Sequence, residues 1–314
     1  MSTEHLYKRA ERADEVADPD MKDADPKEIL AATYDAWLGI FDQYKDQDIR
    51  YTIDMLYRQA CRLVRPFKEK MAGTITEKEL GPIADDPHYK ECEDNQRNKS
   101  GQAVYRKYCY AGLYLSALLN ETDLDRLSIG SFPAKLEEVG YCLQPGKTVE
   151  VREDAIVGNV GDAAQGGIGI VRGTCEGNVG WDASGGIFPV FGAVEGCVGY
   201  RATGGMFPIF GKVKHSIGNC VTGGIFTVYG TAEGNIGYDA AGGIFIAKQY
   251  FTVSMNGTYR VDTEGLEKDA ELGRLLDELE VACRAEKFGE VETVARQIDG
   301  HVRKNYKRFK ERRF

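Results

Sequence analysis

The chain has 314 residues, of which 42% are hydrophobic and 28% charged, as in ordinary soluble globular proteins. This length allows two domains, or one core with appendages. The formal net charge of −9 argues against nucleic acid as the main partner, and no apolar run approaches the length of a membrane-spanning helix.

The eight cysteines include no CxxC pair, so zinc and iron–sulfur sites have little support. The first residues, MSTEHLYKRAERADEV, are charged and do not resemble a signal peptide. We therefore expect a cytoplasmic protein with free thiols, no metal and no cofactor.

Residues 1–145 are predicted to form an α-helical domain with an acidic tail at its start. Apolar residues recur at helical spacing from Lys27 to about Ala72, and again through SGQAVYRKYCYAGLYLSALLNE at residues 100–121. Thr122 and Asp125 have suitable residue types to cap a further short helix.

The most informative feature is a repeat of nineteen residues in the middle of the chain. A pair of adjacent glycines recurs at this spacing without insertion, at Gly166–Gly167, Gly185–Gly186, Gly204–Gly205, Gly223–Gly224 and Gly242–Gly243. Further glycines follow seven and fourteen residues after the first glycine of the first four pairs, as at Gly192 and Gly199. Residues 147–165 form a degenerate earlier copy. A fixed period of this length indicates stacked identical units.

Short extended runs between glycine corners predict one coil of a parallel β-solenoid per repeat, because glycine turns with positive φ at no steric cost. Nineteen residues at about 3.3 Å give a perimeter of roughly 60 Å, which suits a three-sided coil with a packed interior. We predict a right-handed parallel β-helix over residues 146–257. The left-handed hexapeptide helix of acyltransferases is the weaker alternative, because it needs an aliphatic residue every six positions.

Equivalent residues of successive coils should stack in columns. Two aliphatic columns are predicted to face inward, namely Ile168, Ile187, Met206, Ile225 and Ile244, and Val179, Val198, Ile217 and Ile236. Two aromatic columns are candidate interaction surfaces, namely Phe191, Phe210 and Tyr229, and Trp181, Tyr200 and Tyr238. An exposed aromatic column is normally covered, either by the chain's own helices or by a partner. Proline cannot donate to a ladder, so Pro189 and Pro208 predict a bulge or bend.

Residues 258–314 are predicted to form a helical hairpin, because two amphipathic stretches are joined by the short connection EKFGE. The last twelve residues, RKNYKRFKERRF, carry seven basic residues and one acidic residue. Continuing helical spacing would place Arg303, Lys307 and Lys310 close to one face. They form a candidate contact surface for an acidic protein face, anionic lipid or nucleic acid.

No arrangement typical of catalysis can be argued from spacing. The glycines recur as corners and do not occur in a strand–GxGxxG–helix unit, so nucleotide binding has little support. His215 replaces the glycine found at that place in neighbouring coils, with Lys212 and Lys214 beside it. It is a candidate binding spot, or simply a tolerated exposed corner.

The segment GGIFPVFGAVEGCVG, with its double glycine, hydrophobic strand, glycine corner and GxxG close, resembles the GXGXG β-helix domain. That domain occurs at the C-terminus of the large polypeptide of glutamate synthase and in one of the polypeptides of formylmethanofuran dehydrogenase. The resemblance covers about residues 147–250. It implies an architectural role, with flavin, amidotransferase or metal chemistry in other domains or other polypeptides.

These observations favour a non-catalytic structural or assembly protein that mediates protein–protein association, as a homo-oligomer or in a larger enzyme complex. The alternative from another class is a component of a redox enzyme complex resembling glutamate synthase or formylmethanofuran dehydrogenase. A third possibility is a small-molecule binding module with its ligand along one wall of the β-helix.

Overall fold

The structure is a computed structural model that describes residues 25–42, 49–75, 111–131, 135–247 and 258–307. Its centre is a solenoid in which each coil pairs in parallel with the next. Helices precede the solenoid and two long helices follow it. The predicted parallel β-solenoid with flanking helices is therefore confirmed.

The first wall of the solenoid contains the longest strands. Neighbouring strands are paired in parallel, and isolated bridges at Ile187 and Val190 carry the ladder across one coil. The strands are β1 (Ala72–Ile75), β2 (Asp123–Ile129), β3 (Thr148–Val151), β5 (Ile168–Val171), β8 (Met206–Ile209), β10 (Ile225–Val228), β12 (Ile244–Ala247) and β13 (Tyr259–Val261).

The other two walls are shorter. The second consists of two-residue strands, β4 (Ile156–Val157), β6 (Thr174–Cys175), β7 (Ala193–Val194), β9 (Lys212–Val213) and β11 (Thr231–Ala232). The third is a line of single bridges that runs from Val139 through Val160 to Ile236. Ile168 pairs with Ile187 nineteen positions later, whereas Thr148 pairs with Ile168 across twenty positions. The degenerate copy therefore forms an irregular coil.

The interior of the solenoid is filled by stacked aromatic rings that the sequence did not single out as a column. Phe188, Phe207, Phe226 and Phe245 are fully buried, and successive ring centroids lie 5.3, 4.7 and 4.8 Å apart. The column from Val179 to Ile236 is at most 2% exposed and belongs to the same cluster. Its predicted inward orientation is confirmed.

The column from Ile168 to Ile244 does not face the interior, contrary to the prediction. Successive side chains of a strand point to opposite faces, and the phenylalanines take the inner one. Ile187, Met206 and Ile244 instead pack against the C-terminal helices, where they are at most 5% exposed. Apolar identity alone predicts burial but does not distinguish between burial inside a coil and burial beneath a helix.

The bulge predicted at Pro208 is absent. Met206, Pro208 and Ile209 pair with Ile225, Thr227 and Val228 without a register shift. Around Pro189 the pairing consists of isolated bridges at Ile187 and Val190, and the register is unchanged. Proline is accommodated because its carbonyl still accepts, as when Val190 N donates to Pro208 O at 2.9 Å.

Helices close the N-terminal end of the solenoid. They are α1 (Pro26–Asp42), α2 (Ile49–Val64) with a following 3₁₀ turn (Arg65–Lys70), and α3 (Ala111–Glu121). Thr122 does not cap a new helix, contrary to the prediction; its Oγ1 donates to Leu118 O at 2.6 Å, and strand β2 begins at the next residue. Because β1 and β2 join the first wall, the parallel ladder begins inside the region that the sequence assigned to helices alone.

Helix α3 lies across the first coil. Its side chains form hydrogen bonds with backbone groups of that coil, which have no preceding coil to pair with. Ser116 Oγ accepts from Tyr141 N at 3.0 Å, and Asn120 Oδ1 accepts from Gln144 N at 3.1 Å. Asn120 Nδ2 also donates to Tyr141 O at 3.1 Å. Side chains of α3 therefore satisfy backbone groups at the open end of the first coil, in the way that exposed sheet edges are commonly covered.

The C-terminal segment forms α4 (Thr263–Glu267), α5 (Ala270–Arg284) and α6 (Phe288–Asn305), with α5 and α6 as the predicted hairpin. Asp269 caps α5, since its Oδ1 accepts from Leu272 N at 3.0 Å. Its Oδ2 lies 2.7 Å from His301 Nε2, near the end of α6, so the two helices run antiparallel. The sequence assigned no role to this histidine.

Candidate functional site

The first aromatic column, Phe191, Phe210 and Tyr229, lies under the C-terminal hairpin. Its rings stack at centroid distances of 5.0 and 4.7 Å, and all three are partly buried against the hairpin cluster. Tyr229 Oη donates to Leu276 O of α5 at 2.8 Å. The chain's own helices therefore provide cover for this predicted surface.

A closed network of four charged side chains locks the hairpin to the first coils. Arg126 of β2 and Arg172, which follows β5, each contact both Glu150 of β3 and Glu286 of the hairpin loop. The N–O distances are 2.6 and 2.9 Å for Arg126, and 3.0 and 2.6 Å for Arg172. The hydrogen bond from Arg126, followed by that from Arg172, outweighs burial and lowers the pKa of Glu286. Arginine forks suit such paired carboxylate contacts.

Two guanidinium groups continue this network over the aromatic column. The Arg172 guanidinium lies 4.9 Å from the Phe191 centroid, and that of Arg284 lies 5.3 Å from the Phe210 centroid. Both distances suit cation–π attraction. A groove of about 520 Å³ remains beside these rings, with stacked glycine corners among its lining residues.

The second aromatic column differs because it is open to solvent. Trp181 is 37% exposed and Tyr238 is 46% exposed, and the Trp181 and Tyr200 rings meet edge to face at 4.9 Å. The intervening coil carries Asn219 at this position. We call Trp181, Tyr200 and Tyr238 the corner column. Each ring follows a positive-φ glycine, as Trp181 follows Gly180, so the backbone holds it at a sharp corner.

The remaining predicted contact residues are dispersed. His215 is exposed at a corner between Lys214, which pairs with Glu195 at 2.6 Å, and the partly buried Ser216. Arg303 pairs with Asp299 at 2.8 Å, and its guanidinium lies 5.5 Å from the Tyr259 ring. Lys307 is exposed, but α6 ends at Asn305, and Lys310 lies outside the described residues. Among the described residues, His215, Arg303 and Lys307 form no hydrogen bond, ion pair or ring contact with the corner column.

A further groove of about 700 Å³ runs between the double-glycine corners and α6. Its solenoid side includes Gly185, Gly186 and Ile187, and its helix side includes Phe288 and Arg296. The double glycines therefore border this groove in addition to forming corners.

A side-chain ladder at the third wall was missed in the sequence. Asn159 Nδ2 donates to Glu138 Oε1 at 2.8 Å, Asn159 Oδ1 accepts from Asn178 N at 2.8 Å, and Asn178 Oδ1 accepts from Cys197 N at 2.9 Å. The sequence contains a signal for this ladder, because Asn159 and Asn178 are nineteen residues apart, which is the period of the repeat.

Two carboxyl groups lie at the first-coil end of this ladder. Glu138 is 6% exposed, and burial raises its pKa to about 7 despite the hydrogen bond from Asn159. Burial, and then the charge of Glu138, also raise the pKa of Asp162, whose Oδ1 accepts from Trp181 N at 3.3 Å. Perturbed carboxyl groups accompany both active sites and structural networks. Glu138 and Asp162 have partners in the side-chain ladder and the neighbouring backbone, so their arrangement is that of a structural network.

Across the part of the chain that the structure describes, no three or more His, Cys, Asp or Glu side chains are grouped to hold a metal ion. The six described cysteines are free thiols, and Cys175 Sγ donates to Gly158 O at 2.8 Å. None of the described helices is long and apolar enough to cross a membrane.

The fold and these surfaces define a parallel β-solenoid protein with one aromatic column covered and another open. No family model, curated protein or solved structure matches the chain. The resemblance to the GXGXG domain therefore stays a prediction.

Proposed function

We propose that this protein is a non-catalytic scaffold or assembly protein, whose corner column binds protein partners, including further copies of itself. The supporting observation is the exposure of Trp181 and Tyr238 on the same edge of a hydrogen-bonded solenoid. Tryptophan and tyrosine are the side chains most enriched at the centres of protein interfaces. The Phe191 column, by contrast, is already covered by the hairpin.

The rigidity of the corner favours binding. The residues after the rings, Asp182, Arg201 and Asp239, hold positive φ values of 53–58°, and coil-to-coil hydrogen bonds fix the corner on both sides. Arg201 Nε also pairs with Asp182 Oδ1 at 3.0 Å. A platform fixed before binding loses little conformational entropy when a partner docks. Three coils separate Trp181 from Tyr238, which is about 14 Å along the axis.

Native mass spectrometry of the protein purified gently from its own cells tests this proposal. We expect a discrete homo-oligomer or a stoichiometric complex with a cofactor-free protein. Trp181→Ser combined with Tyr238→Ser should dissociate it, because both open rings are lost. Ile156→Ser is the matched control, since Ile156 is 53% exposed on a different wall.

Three other outcomes would overturn the proposal. A monomer in wild type and variant alike would remove the assembly role. A stoichiometric complex with a flavin-, iron–sulfur- or molybdopterin-bearing enzyme would instead support the redox-complex alternative. A retained small molecule in a monomer would support the binding module.

A further inference from the structure

A third groove, of about 890 Å³, lies between α5 and α6 and is lined by the hairpin alone. Its lining includes small residues on both helices, such as Gly273 and Thr293, so the two backbones form a shallow trough. Val281 also lines it. At 67% exposure, Val281 is the most exposed large apolar side chain among the described residues. We call this trough the hairpin groove.

The hairpin groove is acidic. Its charged lining residues are Arg274, Asp277, Glu278 and Glu290. Arg274 is already engaged by Glu271 at 2.7 Å and by Glu278. Asp277 is exposed and has no ion-pair partner within the described ranges. It lies one helical turn from Val281, so an apolar spot and an unbalanced negative charge are adjacent.

The last described part of the chain is anchored next to one end of this groove. Tyr306, which directly follows the last residue of α6, donates its hydroxyl to Asp269 Oδ2 at 3.0 Å. Asp269 directly precedes Ala270, which lines the end of the hairpin groove. The structure describes the chain as far as Lys307, one residue beyond this anchored tyrosine.

The sequence that follows is complementary to the groove. Residues 308–314, RFKERRF, contain four basic residues, one acidic residue and two phenylalanines. From Ala270 to Val281 the helix rises about 16 Å. Seven extended residues reach at most about 24 Å, which is enough to follow the groove as far as Val281.

We propose that residues 308–314 bind in the hairpin groove of their own molecule, with a basic side chain against Asp277 and a phenylalanine against Val281. Attachment through Tyr306 favours this occupant over a second copy, because a short tether gives an effective concentration in the millimolar range. The inference is independent of the corner column and of any partner that binds there. The proposal gives the basic residues of segment 308–314 a binding site on their own chain.

A competition experiment tests the proposal with the full-length chain. The probe is a fluorescein-labelled peptide of residues 307–314, KRFKERRF, followed by fluorescence anisotropy. The proteins are the wild type and a variant carrying Phe309→Ser, Arg312→Ser and Phe314→Ser. We expect the variant to bind the peptide at least tenfold more tightly, because the wild-type segment occupies the groove.

The location of the site is tested in the same variant background. Asp277→Lys and Val281→Ser should each weaken peptide binding at least tenfold, and added salt should weaken it further. Glu292→Lys is the matched charge reversal, since Glu292 lies on the face of α6 that lines the other groove. It should leave binding unchanged.

Each contrary result overturns a defined part of the proposal. Equal affinity for wild type and variant would show that the groove is open in the native chain. Equal effects of Asp277→Lys and Glu292→Lys would place the peptide elsewhere, and absence of binding to every variant would remove the site. These readouts do not depend on whether the protein forms an assembly.

Discussion

Phe226 occupies the space that a side chain on Gly199 would need, because a Cβ at Gly199 would lie 2.5 Å from Cε1 of the Phe226 ring. The same relationship joins three other pairs, Gly161 with Phe188, Gly180 with Phe207, and Gly218 with Phe245. Gly199 also has φ of +66°. The glycine that closes a coil therefore turns the chain and admits the interior ring of the following coil.

Gly199→Ala should destabilise the protein by about 2–4 kcal/mol, because strain at positive φ adds to overpacking against the Phe226 ring. Urea unfolding at equilibrium measures this change. Gly300→Ala is the control, since a Cβ at this helical glycine meets nothing within 4 Å. The control should be neutral or stabilising by up to about 1 kcal/mol. Equal destabilisation by both substitutions would refute the interior role of Gly199.

The period of nineteen residues was enough to predict the solenoid. Each corner needs glycine at a particular position, so the corners can be recognised from single residues of the sequence. The helical hairpin was predictable for the same reason, since Leu272, Leu275, Leu276 and Leu279 repeat at helical spacing. Which face of a strand points inward was not predictable. Ile187 and Phe188 are both apolar and both buried, and only the presence of the hairpin distinguishes the outer position from the inner one.

The candidate surfaces were only partly predictable. The two aromatic columns follow from the repeat, but the cover over Phe191 depends on Arg126, Glu150 and Glu286, which are far apart in the sequence. Strand β2 was interpreted as part of a helical region, because its pairing with β3 is a tertiary contact without a local signal. The Asn159–Asn178 ladder had such a signal in its spacing, and it was overlooked.

Glu286→Gln should loosen the hairpin, because Arg126 and Arg172 would each lose a charged partner at a partly buried site. We expect a loss of about 1–3 kcal/mol in the free energy of unfolding. Hydrogen exchange should speed up in α5 and α6 more than in β8 and β10. Glu290→Gln is the matched control, because the Lys287–Glu290 pair is well exposed and should contribute less than about 0.5 kcal/mol.

The same contact gives a pH dependence. The pKa of Glu286 is lower in the folded than in the unfolded protein, so its contribution is complete above the ordinary carboxyl pKa and is lost as the pH falls through the folded value. In Glu286→Gln this acid-dependent part of hairpin stability should disappear. If hairpin stability fell at low pH in Glu286→Gln as it does in the wild type, the assignment of this pH dependence to Glu286 would be wrong.

Glu138 should act with the opposite sign. Its pKa is raised by burial to about 7, so the folded state binds more protons than the unfolded state between about pH 4.5 and 7. Its contribution to the free energy of unfolding therefore decreases as the pH rises through this window. Glu138→Gln keeps the oxygen that accepts from Asn159 and removes the charge. It should stabilise the protein at pH 8 by on the order of 2 kcal/mol and have no effect at pH 4.

Thermal and urea unfolding at both pH values measure this difference. Glu176→Gln is a suitable control, because the Glu176 side chain is 48% exposed. Its effect should be small at pH 4 and pH 8 alike. A Glu138→Gln variant that is destabilised at pH 8 would mean that the carboxylate is ionised and stabilising in the folded protein.

The asparagine ladder can be tested at Asn178, whose Oδ1 accepts from Cys197 N at 2.9 Å. Asn178→Ala should cost about 1–2 kcal/mol, because it leaves that partly buried amide without its acceptor. Exchange of the Cys197 amide should accelerate more than that of neighbouring amides. Asn219→Ala, two coils further along, is the control, since the Asn219 side chain has only a 3.7 Å contact from Cys220 Sγ and should change stability by less than about 0.5 kcal/mol. Equal losses from the two alanine variants, with no selective effect at Cys197, would show that the ladder adds nothing beyond ordinary packing.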